Sequence, residues 1–116
     1  PSNATLGDAQ GTGTIRDDDS VKFFVVDDGS ADRTYRYSAT GGSLSNSALA
    51  SGNTAPRGAA SNADGSKVWV IDANKTVYVY DASGSLLGSW AAGGLASNAQ
   101  VQGIAVDPNG TDMWVV

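Results

Sequence analysis

Short apolar runs separated by turn-forming residues dominate the chain. Phe23-Phe24-Val25-Val26, Val68-Trp69-Val70-Ile71 and Met113-Trp114-Val115-Val116 are continuous apolar blocks. Runs of this length predict strands covered on both faces. Val77-Tyr78-Val79-Tyr80 is a fourth such block, and Thr34-Tyr35-Arg36-Tyr37 alternates, so Tyr35 and Tyr37 share a face. The blocks are punctuated by Asp27-Asp28-Gly29-Ser30, Thr40-Gly41-Gly42-Ser43, Asn62-Ala63-Asp64-Gly65, Asp72-Ala73-Asn74-Lys75, Asp81-Ala82-Ser83-Gly84 and Pro108-Asn109-Gly110. These are turn compositions, and Asp-Gly between extended runs is a strong hairpin signal. The pattern predicts strands over 22–26, 34–37, 44–49, 58–61, 67–71, 77–80, 85–90, 102–107 and 113–116.

The strands recur at a fixed interval of 45 residues. Lys67-Val68-Trp69-Val70-Ile71-Asp72 restates Lys22-Phe23-Phe24-Val25-Val26-Asp27, and Met113 to Val116 restates Val68 to Ile71. Gln102-Gly103-Ile104-Ala105 restates Arg57-Gly58-Ala59-Ala60. Phe24, Trp69 and Trp114 therefore share one register. A fixed period of this size signals a solenoid, a propeller or an array. Four short antiparallel strands per period is the strand count of a propeller blade. Composition grades within each unit as a blade requires. The first strand is small (Gly58, Ala59, Ala60), the second apolar (Val68 to Ile71) and the fourth polar (Ser45, Asn46, Ser47).

The expected fold is thus all-β: a partial β-propeller of about two four-stranded antiparallel blades. Residues 1–20 fall outside the repeat register and form a separate segment. Residues 21–116 form the incomplete propeller, with blades at about 21–55, 56–100 and a truncated 101–116. No Gly-Ile-Ala-like segment precedes Lys22, so the first blade is expected to lack a first strand of its own and to receive one by strand complementation. The chain has no initiator Met and stops within a strand-like run, which suggests a piece of a longer protein. Blades at either end would then present bare apolar faces, and the isolated chain is expected to aggregate or pack loosely.

Composition narrows the chemistry. The net charge is −5, and all 12 acidic residues are Asp, which favours turns over helix interiors. The seven basic residues are dispersed, giving no footprint for nucleic acid. No apolar run approaches the roughly 20 residues of a membrane span. There is no Cys and no His, so thiolate chemistry and the commonest general base are missing. No Ser has a His partner for a nucleophilic triad.

The stretches Gly-Ile-Ala-Val-Asp-Pro-Asn-Gly-Thr-Asp-Met-Trp-Val-Val (103–116) and Val-Tyr-Val-Tyr-Asp-Ala-Ser-Gly-Ser-Leu (77–86) resemble NHL-like and YVTN-type β-propeller repeats. The resemblance covers roughly residues 21–116. It implies a binding scaffold, since most such propellers bind, while some are lyases or lactonases. Residues 4–19, Ala-Thr-Leu-Gly-Asp-Ala-Gln-Gly-Thr-Gly-Thr-Ile-Arg-Asp-Asp-Asp, resemble the C-terminal end of a Calx-β domain. That resemblance implies that the propeller follows the terminal strand of a β-sandwich, and it implies an extracellular or cell-surface setting. It also makes Asp17, Asp18 and Asp19 candidate Ca²⁺ ligands, for which upstream loops would supply the remaining oxygens.

These readings converge on a module of a large exported or cell-surface protein. Its propeller would act as a non-catalytic scaffold for a protein or carbohydrate ligand. The alternative is a lyase or lactonase whose catalytic residues lie on other blades. Asp27, Asp72, Asp81 and Asp107 each follow a strand. They could ring one face of the propeller, but Asp at these sites ordinarily bonds the backbone of its own turn. Phe24, Trp69 and Trp114 are expected to pack between blades rather than stack on sugars. Trp90 lies outside that register and is the better candidate for a surface aromatic.

Overall fold

The computed structural model describes residue 21 and residues 23–116. Among these the secondary structure is nine strands and no helix. The first sheet is β1 (Phe23–Asp27), β2 (Arg33–Tyr37) and β3 (Ser43–Ala48), in that order. The second is β4 (Pro56–Ser61), β5 (Lys67–Asp72), β6 (Thr76–Asp81) and β7 (Leu86–Ala91). The third pairs β8 (Ile104–Val106) with β9 (Met113–Val115). Every pairing is antiparallel and joins chain neighbours, as short turns require. The segment Asp17–Asp19 and the Calx-β-like stretch 4–19 lie outside the described residues.

The 45-residue period is visible in the pairing itself. Phe23 opposes Tyr37 and Val25 opposes Tyr35 in the first sheet, as Val68 opposes Tyr80 and Val70 opposes Tyr78 in the second. Ala60 opposes Trp69 as Ala105 opposes Trp114. The turn between β2 and its predecessor is two residues longer than the turn before β6, yet both close alike. Asp32 and Lys75 each take positive φ, and their carbonyls accept bonds from Leu49 N–H (2.9 Å) and Ala92 N–H (2.8 Å).

The second sheet is covered on both faces, which explains why β5 and β6 are unbroken apolar runs. Side chains alternate across a strand. Val68, Val70, Tyr78 and Tyr80 face the first sheet, and Phe24 and Val26 of β1, Leu49 and Ala50 of the connection after β3, and Ala59 of the neighbouring β4 pack on them. Trp69, Ile71, Val77 and Val79 face the third sheet with Ile104, Val106, Met113 and Val115. Burying each such Val or Ile fully stabilises by about 1.5–3 kcal/mol, so these two layers hold most of the hydrophobic driving force. β7 at the edge is exposed despite its apolar Leu86, Leu87 and Trp90, because no further strand pairs with it among the described residues.

Two contacts join successive units and recur with the period. The ring of Phe24 lies over Gly65, where an added Cβ would sit 3.5 Å from Cζ. The ring of Trp69 lies over Gly110, where an added Cβ would sit 2.7 Å from Cη2. Gly65 and Gly110 both hold positive φ at the turn of their hairpins. Each aromatic of one unit thus caps the hairpin glycine of the next. In addition, β4 lies between β1 and β8, and a Cβ on Gly58 would come 2.9 Å from the Cα of Gly103. The small residues of the first strand are there because neighbouring backbones approach closely.

The end sheets depart from the expectation of strands covered on both faces. Phe24 and Val26 of β1 are packed, but Phe23 is 54% and Val25 49% exposed. Trp114, expected to pack between units like Trp69, is 57% exposed. The reason is the same at both ends: among the described residues no sheet covers these faces.

Candidate functional site

Antiparallel order fixes which turns share an edge of the stacked sheets. β1 and β5 end, and β2, β4 and β6 begin, at one edge. The other edge carries the hairpin turns at 62–66 and 107–112 and the turn after β6. Asp27 and Asp72 therefore lie at one edge, Asp81 and Asp107 at the other, so these four carboxylates do not form a ring on one face.

Each of the second pair bonds its own turn. Asp107 accepts from Asp112 N–H (2.9 Å), Thr111 N–H (2.6 Å) and Thr111 Oγ1 (3.1 Å). One period earlier, Asn62 accepts from Lys67 N–H (3.0 Å) in the place of the Asp112 bond. An uncharged amide does the same work, so the turn needs an acceptor there and not a charge. Asp81 accepts from Ser83 N–H and Ser85 N–H, both at 2.9 Å, and from Ser83 Oγ at 2.6 Å. Those donors hold both carboxyls below the ordinary carboxylate range. The Asp112 amide leads for Asp107 and the Ser83 hydroxyl for Asp81.

A pH dependence follows, with its sign. A carboxyl whose folded pKa is depressed contributes stability above its unfolded value of about 4, and that contribution is lost as pH falls through the folded pKa. Stability is expected to decline from about pH 4 downward. Asp107→Asn should lower stability modestly at neutral pH, where the ionised carboxyl contributes, and flatten part of the acid decline. Urea midpoints measured from neutral to acid pH check this; an equally steep decline in the variant would contradict it.

Asp72 is different, being buried. Its Oδ1 accepts from Ala55 N–H at 2.7 Å and its Oδ2 from Asn74 N–H at 2.9 Å. Ala73 N–H also donates to Ala55 O at 2.9 Å, and Asn74 Nδ2 to Gly52 O at 3.2 Å. The β5–β6 turn thereby grips the connection between the first and second sheets. Its last residue grips the next connection as well, because Lys75 Nζ donates to Ala96 O and Ser97 O, both at 2.7 Å. Deeper in, Tyr80 Oη accepts from Ala50 N–H and from Asn53 Nδ2, both at 3.0 Å.

Beside this clamped turn lies a cleft of about 420 Å³ lined by Arg57, Ala73, Ala99, Gln100, Val101 and Gln102. It opens between units: Arg57 enters β4 at the register that Gln102 occupies before β8. Arg57 Nη1 also reaches back to Asp28 Oδ2 of the first sheet at 3.3 Å, in a surface ion pair. The lining offers amide and guanidinium donors and includes the buried Val101. No aromatic lines it. Sequence reasoning did not single out this cleft. The available signal was the Arg57–Gln102 register, a pair of long polar side chains on otherwise small-residue strands.

Of the aromatic candidates, Phe24 and Trp69 pack between sheets, while Trp90 is 42% exposed on β7 opposite Val77. Among the described residues no three Asp side chains gather to hold a metal ion, and no helix is long and apolar enough to cross a membrane. Set against known protein families and against curated proteins, the chain matches none of them.

Proposed function

We propose that residues 21–116 are blades of a β-propeller of the NHL-like or YVTN type, following a Calx-β-like C-terminal end at 4–19. In this reading they serve as a non-catalytic binding scaffold of an exported or cell-surface protein. The observation that carries the reading is the recurrence of one inter-sheet contact, Phe24 on Gly65 and Trp69 on Gly110, at the sequence period. A module whose sheets stack by a repeated rule presents its inter-unit clefts on a rigid frame, which is what a scaffold requires. Asp17, Asp18 and Asp19 would contribute Ca²⁺ ligands only together with upstream loops of the intact protein.

The cleft at Arg57, Gln100 and Gln102 is the proposed recognition surface. Its donors suit the carbonyls of an extended polypeptide. The lack of an aromatic platform favours a protein ligand over a carbohydrate one. A displayed library of random peptides and a glycan array, each applied to the chain and to an Arg57→Ala/Gln102→Ala variant, test this. Peptides are expected to be enriched and to bind the variant at least about tenfold more weakly, a loss of about 1.4 kcal/mol. Ligands indifferent to the double substitution would contradict the assignment of the cleft. Turnover of a bound ligand would move the reading to the lyase or lactonase alternative.

A further inference from the structure

Arg57 is the one charged side chain lining the cleft between the second and third sheets. In β4, Pro56 opposes Asp72 and Gly58 opposes Ile71, so Arg57 is an extra residue at a bulge in the ladder. A bulge re-aims the side chain it carries and is over-represented beside functional sites. The fold does not require an arginine there, because Gln102 fills the same register one period later. The surroundings leave the charge largely uncompensated. Among the described residues the guanidinium has one hydrogen-bond partner, Asp28 Oδ2, 3.3 Å from Nη1, and the two side chains are 42% and 41% exposed. An ion pair so exposed holds weakly. Asp72, next to the lining residue Ala73, turns one oxygen to Ala55 N–H and the other to Asn74 N–H. Lys75 in the same turn is engaged by the carbonyls of Ala96 and Ser97. The other hydrogen-bonding side chains of the lining, Gln100 and Gln102, are uncharged amides.

From this we infer that the cleft selects a carboxylate of its peptide ligand, with Arg57 as the group that receives it. The inference rests on the peptide-binding reading above and names the part of the ligand that the cleft recognises. A guanidinium presents parallel N–H donors that match the two oxygens of a planar carboxylate. Gln100 and Gln102 then donate to the carbonyls that flank it. A phosphate dianion asks for a second cation, and Lys75 is held by backbone carbonyls. Asp28 stands in for the ligand's carboxylate in the empty cleft and exchanges with it on binding. A peptide offers this group in two places, its C-terminus and an Asp or Glu side chain, and both present the same chemistry to Arg57.

Three capped dipeptides applied to the whole chain test the inference and separate the two sources. They are acetyl-Ala-Ala with a free C-terminus, acetyl-Ala-Ala-amide, and acetyl-Asp-Ala-amide. Nitrogen–proton correlation spectra follow the Arg57 side chain and the side-chain amides of Gln100 and Gln102. One or both carboxylate probes are expected to bind at least about tenfold more tightly than the neutral amide and to shift the Arg57 Nε–H signal. The probe that does so identifies the source. Arg57→Gln places in this unit the residue that the next unit carries at the same register, and is expected to bring the ratio close to one. Asp28→Asn removes the competing carboxylate and is expected to tighten the carboxylate probe while leaving the neutral one unchanged. A neutral amide that binds as tightly as both acids, an Arg57→Gln variant that keeps the preference, or an Asp28→Asn variant that does not strengthen it overturns the inference. Inorganic phosphate that outcompetes both acids overturns it as well. Shifts of Gln100 and Gln102 by all three probes alike remove this inference and keep the peptide reading, whereas silence from all three removes both.

Discussion

Trp69→Ala is expected to cost about 3–5 kcal/mol and to abolish cooperative unfolding of the second and third sheets together. Trp69 is 4% exposed, belongs to the layer with Ile71, Val77 and Val79, and caps Gly110. Removing the indole leaves a cavity that flat strands on both sides cannot collapse into, so the loss should fall at the upper part of the range. Chemical denaturation with tryptophan-independent detection measures it. Phe24→Ala removes the equivalent ring one unit earlier and should cost less, because a first-sheet partner exposed on its other face can relax. Equal and small losses at both sites would mean that the rings do not hold the sheets together.

Gly58→Val is the second large effect. The clashing atom at 2.9 Å is the backbone Cα of Gly103, with Ile104 N at 3.3 Å, so no side-chain rotation relieves it. The substitution must push β4 and β8 apart, at about 1–3 kcal/mol for ordinary overpacking, and more where backbone has to move. Gly103→Val is the informative contrast. A Cβ there meets nothing within 4 Å, so the two glycines share a register and differ in surroundings. Thermal unfolding of both variants should show a marked loss for the first and a small one for the second. Similar losses would contradict the close approach of β4 and β8.

Much of this arrangement was legible in the chain because the determinants are local and repeated. Each strand predicted over residues 21–116 is present within two residues at either end, since apolar blocks between Asp, Asn and Gly turns leave little choice of boundary. The packing role of Trp69 was readable from its register with Phe24 and Trp114, and the turn role of Asp107 from the residue type. Coverage of the end strands was not readable. Phe23-Phe24-Val25-Val26 has the composition of a doubly covered strand, and whether a second layer exists is decided by other sheets, not by the run itself. The cleft at Arg57 and Gln102 was hidden for a related reason. It arises between units, where two first strands of the repeat enter side by side, and no single segment carries its signature. The clamping of two connections by Asp72 and Lys75 was likewise invisible, because their partners, Ala55, Ala96 and Ser97, contribute backbone groups that every residue has.

The sequence period is a packing period, with the aromatic of each unit seated on the hairpin glycine of the next. Nuclear Overhauser spectroscopy on the folded chain tests it most directly. Cross-peaks are predicted from the Trp69 indole to the Gly110 α-protons and from the Phe24 ring to the Gly65 α-protons, with the Gly110 protons shifted upfield by the ring. Intact strand ladders within each sheet, with both of these cross-peaks missing, would show that the sheets form without stacking by that rule.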